Sequence, residues 1–236
     1  MFKIGDVAPD IAAMVAELEA HKAACEAAEC ERCGRRSVAL SAAQFKAILD
    51  KGQRDEWAKL SLASLPTDFD AAALDAPWLA KLVGAQAIAT AHQNLATPRL
   101  VFVGPSGSGK TSLAIAMFRA ALDAEPARDY RRSGHLYVSA YKLAKARACH
   151  PLGEGEAPLV AQALRAPVLL LDEVGGEDPR HASAVAEVIY ERHAEGMPTW
   201  VTTGTDPEKL AARYGGGIGR RMFEGATVFR LVGRTR

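Results

Sequence analysis

The chain has 236 residues, of which 49% are hydrophobic and 24% are charged, and its formal net charge is +1. This length is enough for one full-sized domain with its own core and a smaller second unit. A net charge so close to zero excludes a protein that coats nucleic acid by bulk electrostatics, although local basic patches stay open. The N-terminal segment MFKIGDVAPD lacks the apolar stretch of an export signal, and no apolar run is long enough to span a bilayer. We therefore expect a soluble, cytoplasmic protein with no membrane contact.

Residues 1–64 are predicted to form a small helical N-terminal domain that binds a partner. An Ala-rich segment from Asp10 to about Glu29 has its aliphatic residues at helical spacing, with Asp10 as the capping candidate. Two more helical segments follow, AAQFKAILDKG and RDEWAKLSLASL. The segment LPTDFD then breaks the pattern, and we place the domain boundary between residues 64 and 65.

A cysteine cluster in this N-terminal domain leaves two interpretations open. The residues His21, Cys25, Cys30 and Cys33 supply four soft ligands for a structural Zn²⁺, and C-x₂-C followed by glycine is half of a common zinc site. Against zinc, a usual site has two such pairs, and Cys25 also continues the apolar stripe of its helix. The alternative is a set of ordinary thiols, as we expect for the remote Cys149.

From residue 65 onward, short strands alternate with helices. A helix over residues 76–95 comes first, with Pro77 near its first turn. The apolar segments RLVFV, HLYVSA, PVLLLD, PTWVTT and ATVFRL then predict five strands, each separated from the next by at least one helix. Such alternation predicts an α/β fold, in which a parallel sheet is flanked by helices on both faces.

The segment GPSGSGKTS follows the first of these strands and opens a helix, which is the context that a phosphate-binding loop requires. Glycines let the backbone N–H groups point at the phosphates of a nucleoside triphosphate, and the helix adds its positive N-terminal end. We expect Lys110 to reach the β- and γ-phosphates and the Thr111 hydroxyl to hold Mg²⁺. The expected nucleotide-binding residues are Gly104, Pro105, Ser106, Gly107, Ser108, Gly109, Lys110, Thr111 and Ser112.

Two carboxylates, Asp172 and Glu173, stand at the carboxyl end of the strand PVLLLD. Open α/β sheets bind their ligands at the carboxyl ends of their strands. We expect Asp172 to hold Mg²⁺, directly or through water, and Glu173 to polarise a water for in-line attack on the γ-phosphate. An activated water indicates hydrolysis, so the pattern predicts an ATPase that uses ATP and Mg²⁺.

These motifs, in this order, resemble the AAA+ ATPases of the DnaC/IstB type. The segments GPSGSGKTSLA, HLYVSAYKL, VLLLDEVG, VIYERHAEGMPTWVTTGTDPEKLAARYGGGIGRRM and VFRL carry the resemblance over roughly residues 65–236. Proteins of this type include replicative helicase loaders of bacteria and phages and the ATPases of some insertion-sequence transposition systems. The resemblance implies an AAA+ P-loop NTPase core without a C-terminal helical lid, and self-association into an ATP-dependent oligomer.

The resemblance also implies an arginine that acts across a subunit boundary. In that family an arginine after the DPEKL-like helix reaches the γ-phosphate of the neighbouring subunit, and Arg221 of the segment GRRM matches it, with Arg220 beside it. Without the resemblance, the arginine pair would be interpreted as a solvated helix cap. We expect the preceding glycine run to be pliable, so that the arginine segment adjusts as subunits close.

One position departs from the family pattern. The polar residue after the strand PTWVTT, often asparagine in this family, is Gly204 here. We therefore expect Thr203 or Thr205 to contact the γ-phosphate instead. Arg230 stands where some relatives keep an arginine near the nucleotide.

Basic residues suggest contacts to DNA. Arg128, Arg131 and Arg132 form one cluster, and a second basic stretch follows the second strand. In replication-type AAA+ rings, elements near that strand line a channel for single-stranded DNA. The members of this second stretch are Tyr141, Lys142, Lys145 and Arg147, and Tyr141 adds a surface for base stacking. The alternative for each residue is a solvated surface position.

The function predicted from the sequence is a loader that binds the replicative helicase and uses ATP hydrolysis to deliver it to single-stranded DNA. The alternative is a transposition ATPase that assembles on single- or double-stranded DNA and recruits or activates a transposase. A third hypothesis, from another class, is a nucleotide-gated adaptor that scarcely hydrolyses ATP.

Overall fold

The structure is a computed structural model that describes residues 42–124 and 134–233. The chain divides into a unit that ends at Lys59 and a unit that begins at Leu60 and contains the sheet. The predicted domain boundary between residues 64 and 65 stays a prediction. The following residues with predicted roles lie outside the described residues: His21, Cys25, Cys30, Cys33, Arg128, Arg131 and Arg132.

Two predicted helix boundaries are wrong, and both involve a glycine. Helix α1, Ala42–Leu62, continues through Gly52, where the sequence predicts a break. A glycine inside a helix costs about 1 kcal/mol but keeps its N–H donor, so it need not end the helix. Conversely, the helix predicted over residues 76–95 is divided into α2, Pro77–Val83, and α3, Ala85–Gln93. Gly84 separates them because it adopts a φ of 91°, which is not a helical conformation.

The described residues form one five-stranded sheet, which is parallel as predicted. Its strand order is β2-β3-β4-β1-β5. The strands are β1, Arg99–Val103; β2, Leu136–Ser139; β3, Leu169–Asp172; β4, Thr199–Thr203; and β5, Thr227–Arg230. Every residue of β3 is buried, which explains its uninterrupted apolar run.

Helices cover the sheet in two packed groups, which confirms the predicted α/β architecture. The helices after β1 are α4, Lys110–Ala124; α5, Ala140–Ala148; α6, Pro158–Arg165; α7, Ser183–Ala194; α8, Pro207–Tyr214; and α9, Gly216–Phe223. Helices α2 and α3 pack against α4, whereas α5, α6 and α9 all pack against α7. Among the described residues, none of the helices has the length and apolar character that a membrane crossing needs.

The glycine run before Arg221 is largely helical, and its predicted adjustment as subunits close stays a prediction. Gly215, with a φ of 88°, ends α8, and the next eight residues form α9. A Cβ on Gly219 would lie 3.0 Å from the Cβ of Ala211 in α8. Gly219 therefore allows α8 and α9 to pack closely, and Arg221 lies on a helix.

A buried arginine joins three elements near the starts of the strands. Arg192 of α7 is 1% exposed, and its guanidinium donates to the carbonyls of Ala163 and Ala166 at 2.8 Å and of Pro198 at 2.5 Å. It also donates to Thr199 Oγ1 at 2.9 Å. Burial lowers the pKa of Arg192 to about 10, which leaves it charged at neutral pH. Arg192 thus fixes the end of α6 to the start of β4.

Candidate nucleotide-binding site

The predicted phosphate-binding residues gather at the carboxyl edge of the sheet. The phosphate-binding loop, residues 104–111, follows β1, and Asp172 ends β3. Strand β4 lies between β1 and β3, so the loop and the carboxylate meet across its end. This is the edge where parallel α/β sheets bind ligands, next to the point at which the strand order reverses.

Three glycines give the phosphate-binding loop its shape. Gly107 and Gly109 have φ angles of 75° and 87°, which favour glycine. A Cβ on Gly104 would lie 2.3 Å from the carbonyl oxygen of Leu231, so no other residue fits there. The Ser108 hydroxyl is buried and has no hydrogen-bond partner among the described residues. The loop therefore has the tight backbone that a phosphate cradle requires.

Lys110 is held beneath this loop. Its side chain is largely buried, and Nζ donates to the carbonyl of Pro105 at 2.8 Å. Burial lowers the pKa of Lys110, whereas the charges of Asp172 and Glu173 raise it. An ammonium that interacts with one carbonyl of the loop can exchange it for the oxygens of a bound triphosphate.

Asp172 is a buried carboxylate that accepts hydrogen bonds from three hydroxyls. Thr111 and Thr202 donate to Oδ1 at 2.9 and 2.5 Å, and Tyr137 donates to Oδ2 at 2.8 Å. Burial raises the pKa of Tyr137 above its usual range and the charge of Asp172 raises it further, so the phenol keeps its proton. Tyr137 and Thr202 were not predicted from the sequence. The available signal was the presence of hydroxyl residues in β2 and β4, two strands of the predicted sheet.

These oxygens fit Mg²⁺, a hard cation that prefers oxygen ligands and usually takes one or two carboxylates together with substrate phosphates. Thr111 Oγ1 and Asp172 Oδ1 lie 2.9 Å apart, next to the loop that would hold the phosphates. Both are the residues that the sequence assigns to this ion. Beside them, Glu173 is exposed, and its carboxylate can approach a water outside the protein interior.

Glu173 adopts an uncommon backbone conformation, with a φ of 57°. This left-handed conformation costs a non-glycine residue on the order of 1–3 kcal/mol and is frequent at functional sites. Its N–H donates to Thr202 Oγ1 at 2.9 Å, so Thr202 contacts both predicted carboxylate residues. The strain and the exposure agree with a chemical role for Glu173.

Thr203, the last residue of β4, makes its hydrogen bonds inside the protein. Thr203 is buried; its hydroxyl donates to the carbonyl of Val174 at 2.7 Å and accepts from the N–H of Thr205 at 3.0 Å. Thr203 would have to exchange a bond to contact a phosphate, and its predicted role stays a prediction. Arg230 pairs with Val103 in the register of β5 and β1, at the edge that carries the phosphate-binding loop.

Arg221 lies at the opposite edge of the sheet, where the strands begin. It lines a pocket together with Arg99, which begins β1, and Thr199, which begins β4. Its guanidinium lies over the ring of Tyr190, 4.6 Å from the ring centroid, and donates to the carbonyl of Gly217 at 3.0 Å. The phosphate-binding loop follows the other end of β1, roughly 13 Å of strand away. The two predicted parts of the site are therefore separated within one chain.

The basic residues on α5 have two different environments. Arg147 forms ion pairs with Glu156 and Glu187, so its charge is neutralised within the protein. Lys142 and Lys145 are exposed. Tyr141, 56% exposed, lies on the same helix. The DNA contact predicted for Tyr141, Lys142 and Lys145 stays a prediction.

The fold and the site define a P-loop NTPase of the AAA+ class. A model of the family described as IstB-like ATP binding protein matches residues 48–206, well over half of the chain, and the chain belongs to this family. Its members are ATP-binding proteins of the DnaC/IstB type. Comparison with curated protein sequences gives no match.

Solved structures show the same fold. The crystal structure of the DnaC helicase loader is 22% identical, with a TM-score of 0.57 over 70% of this chain and 99% of the other. The crystal structure of DnaI is 20% identical, with a TM-score of 0.51 over 75% of this chain and 93% of the other. The structure of AMPPCP-bound DnaA from Aquifex aeolicus is 20% identical, with a TM-score of 0.51 over 69% of this chain and 50% of the other.

Proposed function

We propose that this protein is an oligomeric ATPase that binds ATP and Mg²⁺ at the carboxyl edge of its sheet and hydrolyses ATP between subunits. The observation that carries the proposal is the distance of Arg221 from the phosphate-binding loop of its own chain. A guanidinium at the opposite edge of the sheet is suited to a γ-phosphate that another copy of the chain holds. Arg221 is therefore proposed as an arginine finger.

Each step of hydrolysis is assigned to a residue of this chain. Lys110 binds the β- and γ-phosphates, and the oxygens of Thr111 and Asp172 hold Mg²⁺, which supplies positive charge when bound. Glu173 accepts a proton from the water that attacks the γ-phosphorus. The bond from that phosphorus to the bridging oxygen breaks, and ADP and phosphate leave. Arg221 of a neighbouring subunit stabilises the charge on the transferring group, an effect worth on the order of 10³- to 10⁵-fold in rate.

We propose that ATP hydrolysis drives delivery of a replicative helicase to single-stranded DNA, and that residues 1–64 bind the helicase. The exposed Tyr141, Lys142 and Lys145 on α5 support contact with a DNA strand, because an aromatic ring stacks on bases and ammonium groups pair with phosphates.

A second candidate is a transposition ATPase with a transposase as its client. The match to the IstB-like family model favours it. Both candidates need the same ATP site and differ only in the protein that the oligomer delivers or activates.

The test is a pull-down of the tagged protein from its native cell with ATP, in the Glu173→Gln variant, which keeps ATP bound. Lys110→Ala protein, in which we expect ATP binding to be strongly weakened, is the control. Retention of the replicative helicase by Glu173→Gln alone supports the loader, and retention of a transposase moves the assignment to the second candidate. If the wild-type protein does not hydrolyse ATP and Glu173→Gln releases its partner as the wild type does, the protein is a nucleotide-gated adaptor.

A further inference from the structure

A buried carboxylate fastens the loop after Glu173 to helix α8. The side chain of Glu177 is fully buried, and its Oε1 accepts from Arg213 Nε at 2.9 Å and from the Tyr214 hydroxyl at 2.5 Å. Its Oε2 accepts from the N–H of Gly175 at 3.1 Å. Arg213 also donates to the main-chain carbonyl of Glu177. Two neighbouring residues of α8 thus bind both the side chain and the backbone of this loop.

Tyr214 connects the carboxylate to the turn itself. Its hydroxyl donates to Glu177 and accepts from the N–H of Gly175 at 3.0 Å. Burial raises the pKa of Tyr214 above its usual range, and the hydrogen bond to Glu177 raises it further, so the hydroxyl stays protonated. The N–H of Gly175 is therefore shared between two acceptors that belong to the same network.

The turn at residues 173–176 is held on two sides. On the side of β4, Thr202 accepts from the N–H of Glu173 through its hydroxyl and from the N–H of Val174 through its carbonyl, both at 2.9 Å. A hydrogen bond from the N–H of Gly176 to the carbonyl of Glu173 closes the turn. On the side of α8, the anchor is the Glu177 network. A residue in a costly conformation, such as Glu173, persists only where its surroundings over-determine it.

We propose that Glu177 is a positioning residue for ATP hydrolysis: together with Arg213 and Tyr214, it holds the turn so that the Glu173 carboxylate meets the attacking water. The inference rests on the role proposed above for Glu173. The hydrogen bonds of the Glu177 carboxylate go to α8 and to Gly175, so Glu177 acts through the turn and not on the nucleotide.

A purely structural role predicts a different outcome from a positioning role. Removal of one partner of a buried ion pair lowers stability, because the other charge is left uncompensated. If stability were the whole role, folded Glu177→Gln protein would melt at a lower temperature but hydrolyse ATP at the wild-type rate. If Glu177 positions Glu173, kcat falls while the affinity for ATP is kept, since the phosphate-binding loop is not part of the network.

The experiment measures kcat and the affinity for a non-hydrolysable ATP analogue in Glu173→Gln and in three further variants. For Glu177→Gln, we expect kcat to fall on the order of 10- to 100-fold, as small misplacements of reacting groups do, with less than about a twofold change in affinity. Tyr214→Phe keeps the ion pair and is expected to lower kcat by about threefold. Glu191→Gln, at an exposed position of α7, is the matched control and is expected to match the wild type.

Wild-type kcat in folded Glu177→Gln protein, or an equal loss of affinity and kcat, would overturn the inference. If Glu177→Gln does not fold, Tyr214→Phe decides alone: an unchanged kcat overturns the inference and a reduced kcat with intact affinity supports it. Unchanged turnover in Glu173→Gln would instead overturn the proposed function, and the role of Glu177 with it. The failures of the two proposals are thus distinguishable.

Discussion

The two edges of the sheet formed by the strand ends, the carboxyl edge and the opposite edge where the strands begin, are built differently. At the carboxyl edge, Asp172 is buried under three hydrogen bonds from hydroxyls, and Lys110 is buried against a carbonyl of the phosphate-binding loop. At the opposite edge, the guanidinium of Arg221 lies over Tyr190, whose side chain is itself 44% exposed. A site that binds a ligand within its own chain can be organised in advance. A group proposed to act on the ligand of another chain, such as Arg221, has to stay accessible.

Two arginines at the same edge sharpen the contrast. Arg192 directs its donors at backbone carbonyls of its own chain and is buried, so its place in the fold is fixed. Among the described residues, Arg221 donates a single hydrogen bond, to Gly217. A guanidinium has five N–H donors, so most of those of Arg221 stay available for phosphate oxygens. These available donors are compatible with the proposed role of Arg221 as an arginine finger.

The largest effect is expected from Arg221→Ala. We predict that kcat for ATP falls on the order of 10³-fold or more, because the transition-state charge loses its cation, while the affinity for ATP is unchanged. Arg220→Ala, one position away and 64% exposed, is the matched control. Steady-state ATPase assays at saturating protein concentration, together with a binding assay, measure both quantities.

Mixed oligomers test whether Arg221 acts between subunits. Arg221→Ala and Lys110→Ala proteins are each expected to be inactive alone, but a mixture restores turnover at interfaces that combine an intact loop with an intact Arg221. If the mixture stays as inactive as its components, the trans assignment is wrong. A loss in Arg220→Ala instead would move the finger to that residue.

The next-largest effect, a loss of stability, is expected from replacing the buried Arg192. Arg192→Met leaves the carbonyls of Ala163, Ala166 and Pro198 without their donor. We expect the free energy of unfolding to fall by about 3 kcal/mol, since each unsatisfied buried acceptor costs roughly 1–3 kcal/mol less any relaxation. Arg180→Met, which removes an ion pair from a side chain 81% exposed, should leave the free energy of unfolding almost unchanged, because water screens an exposed ion pair. Urea denaturation compares the two, and equal losses would contradict the assigned difference.

At the carboxyl edge, Lys110→Ala is expected to weaken ATP binding on the order of 100-fold, because charge-assisted hydrogen bonds to the phosphates are lost. Isothermal titration with the non-hydrolysable analogue measures the affinity. Arg221→Ala is the comparison, since it should bind as the wild type does. Loss of affinity in both variants would mean that the two edges do not have separate functions.

Local sequence patterns were enough to predict which residues gather at the carboxyl edge of the sheet. The phosphate-binding loop and Asp172 stand in short segments whose spacing and flanking strand or helix determine their conformation, and the parallel strands bring them to one edge. The five strands were predicted for the same reason, because their apolar runs are short and bounded. Arg221 was assigned only through the family resemblance, since no local pattern distinguishes a finger from a solvated arginine.

The missed features depend on contacts between distant segments. Tyr137 and Thr202 bond to Asp172 from two other strands, and only the sheet register brings those hydroxyls together. Helix α9 was not predicted, because glycine has a low helix propensity and the packing of Gly219 on Ala211 cannot be seen in a local pattern. Gly52 and Gly84 show the same ambiguity, since one continues a helix and the other ends it.

The smallest effect is expected from the hydroxyls around Asp172. Tyr137→Phe keeps the ring and removes the donor to Oδ2, so the carboxylate is oriented from one oxygen only. We predict that the Mg²⁺ concentration for half-maximal ATPase activity rises about tenfold, as is common when a residue that orients a metal ligand is lost. Thr202→Val removes the donor to Oδ1 and should act in the same direction. An unchanged Mg²⁺ requirement in both variants would mean that the buried hydroxyls do not organise Asp172 for the ion.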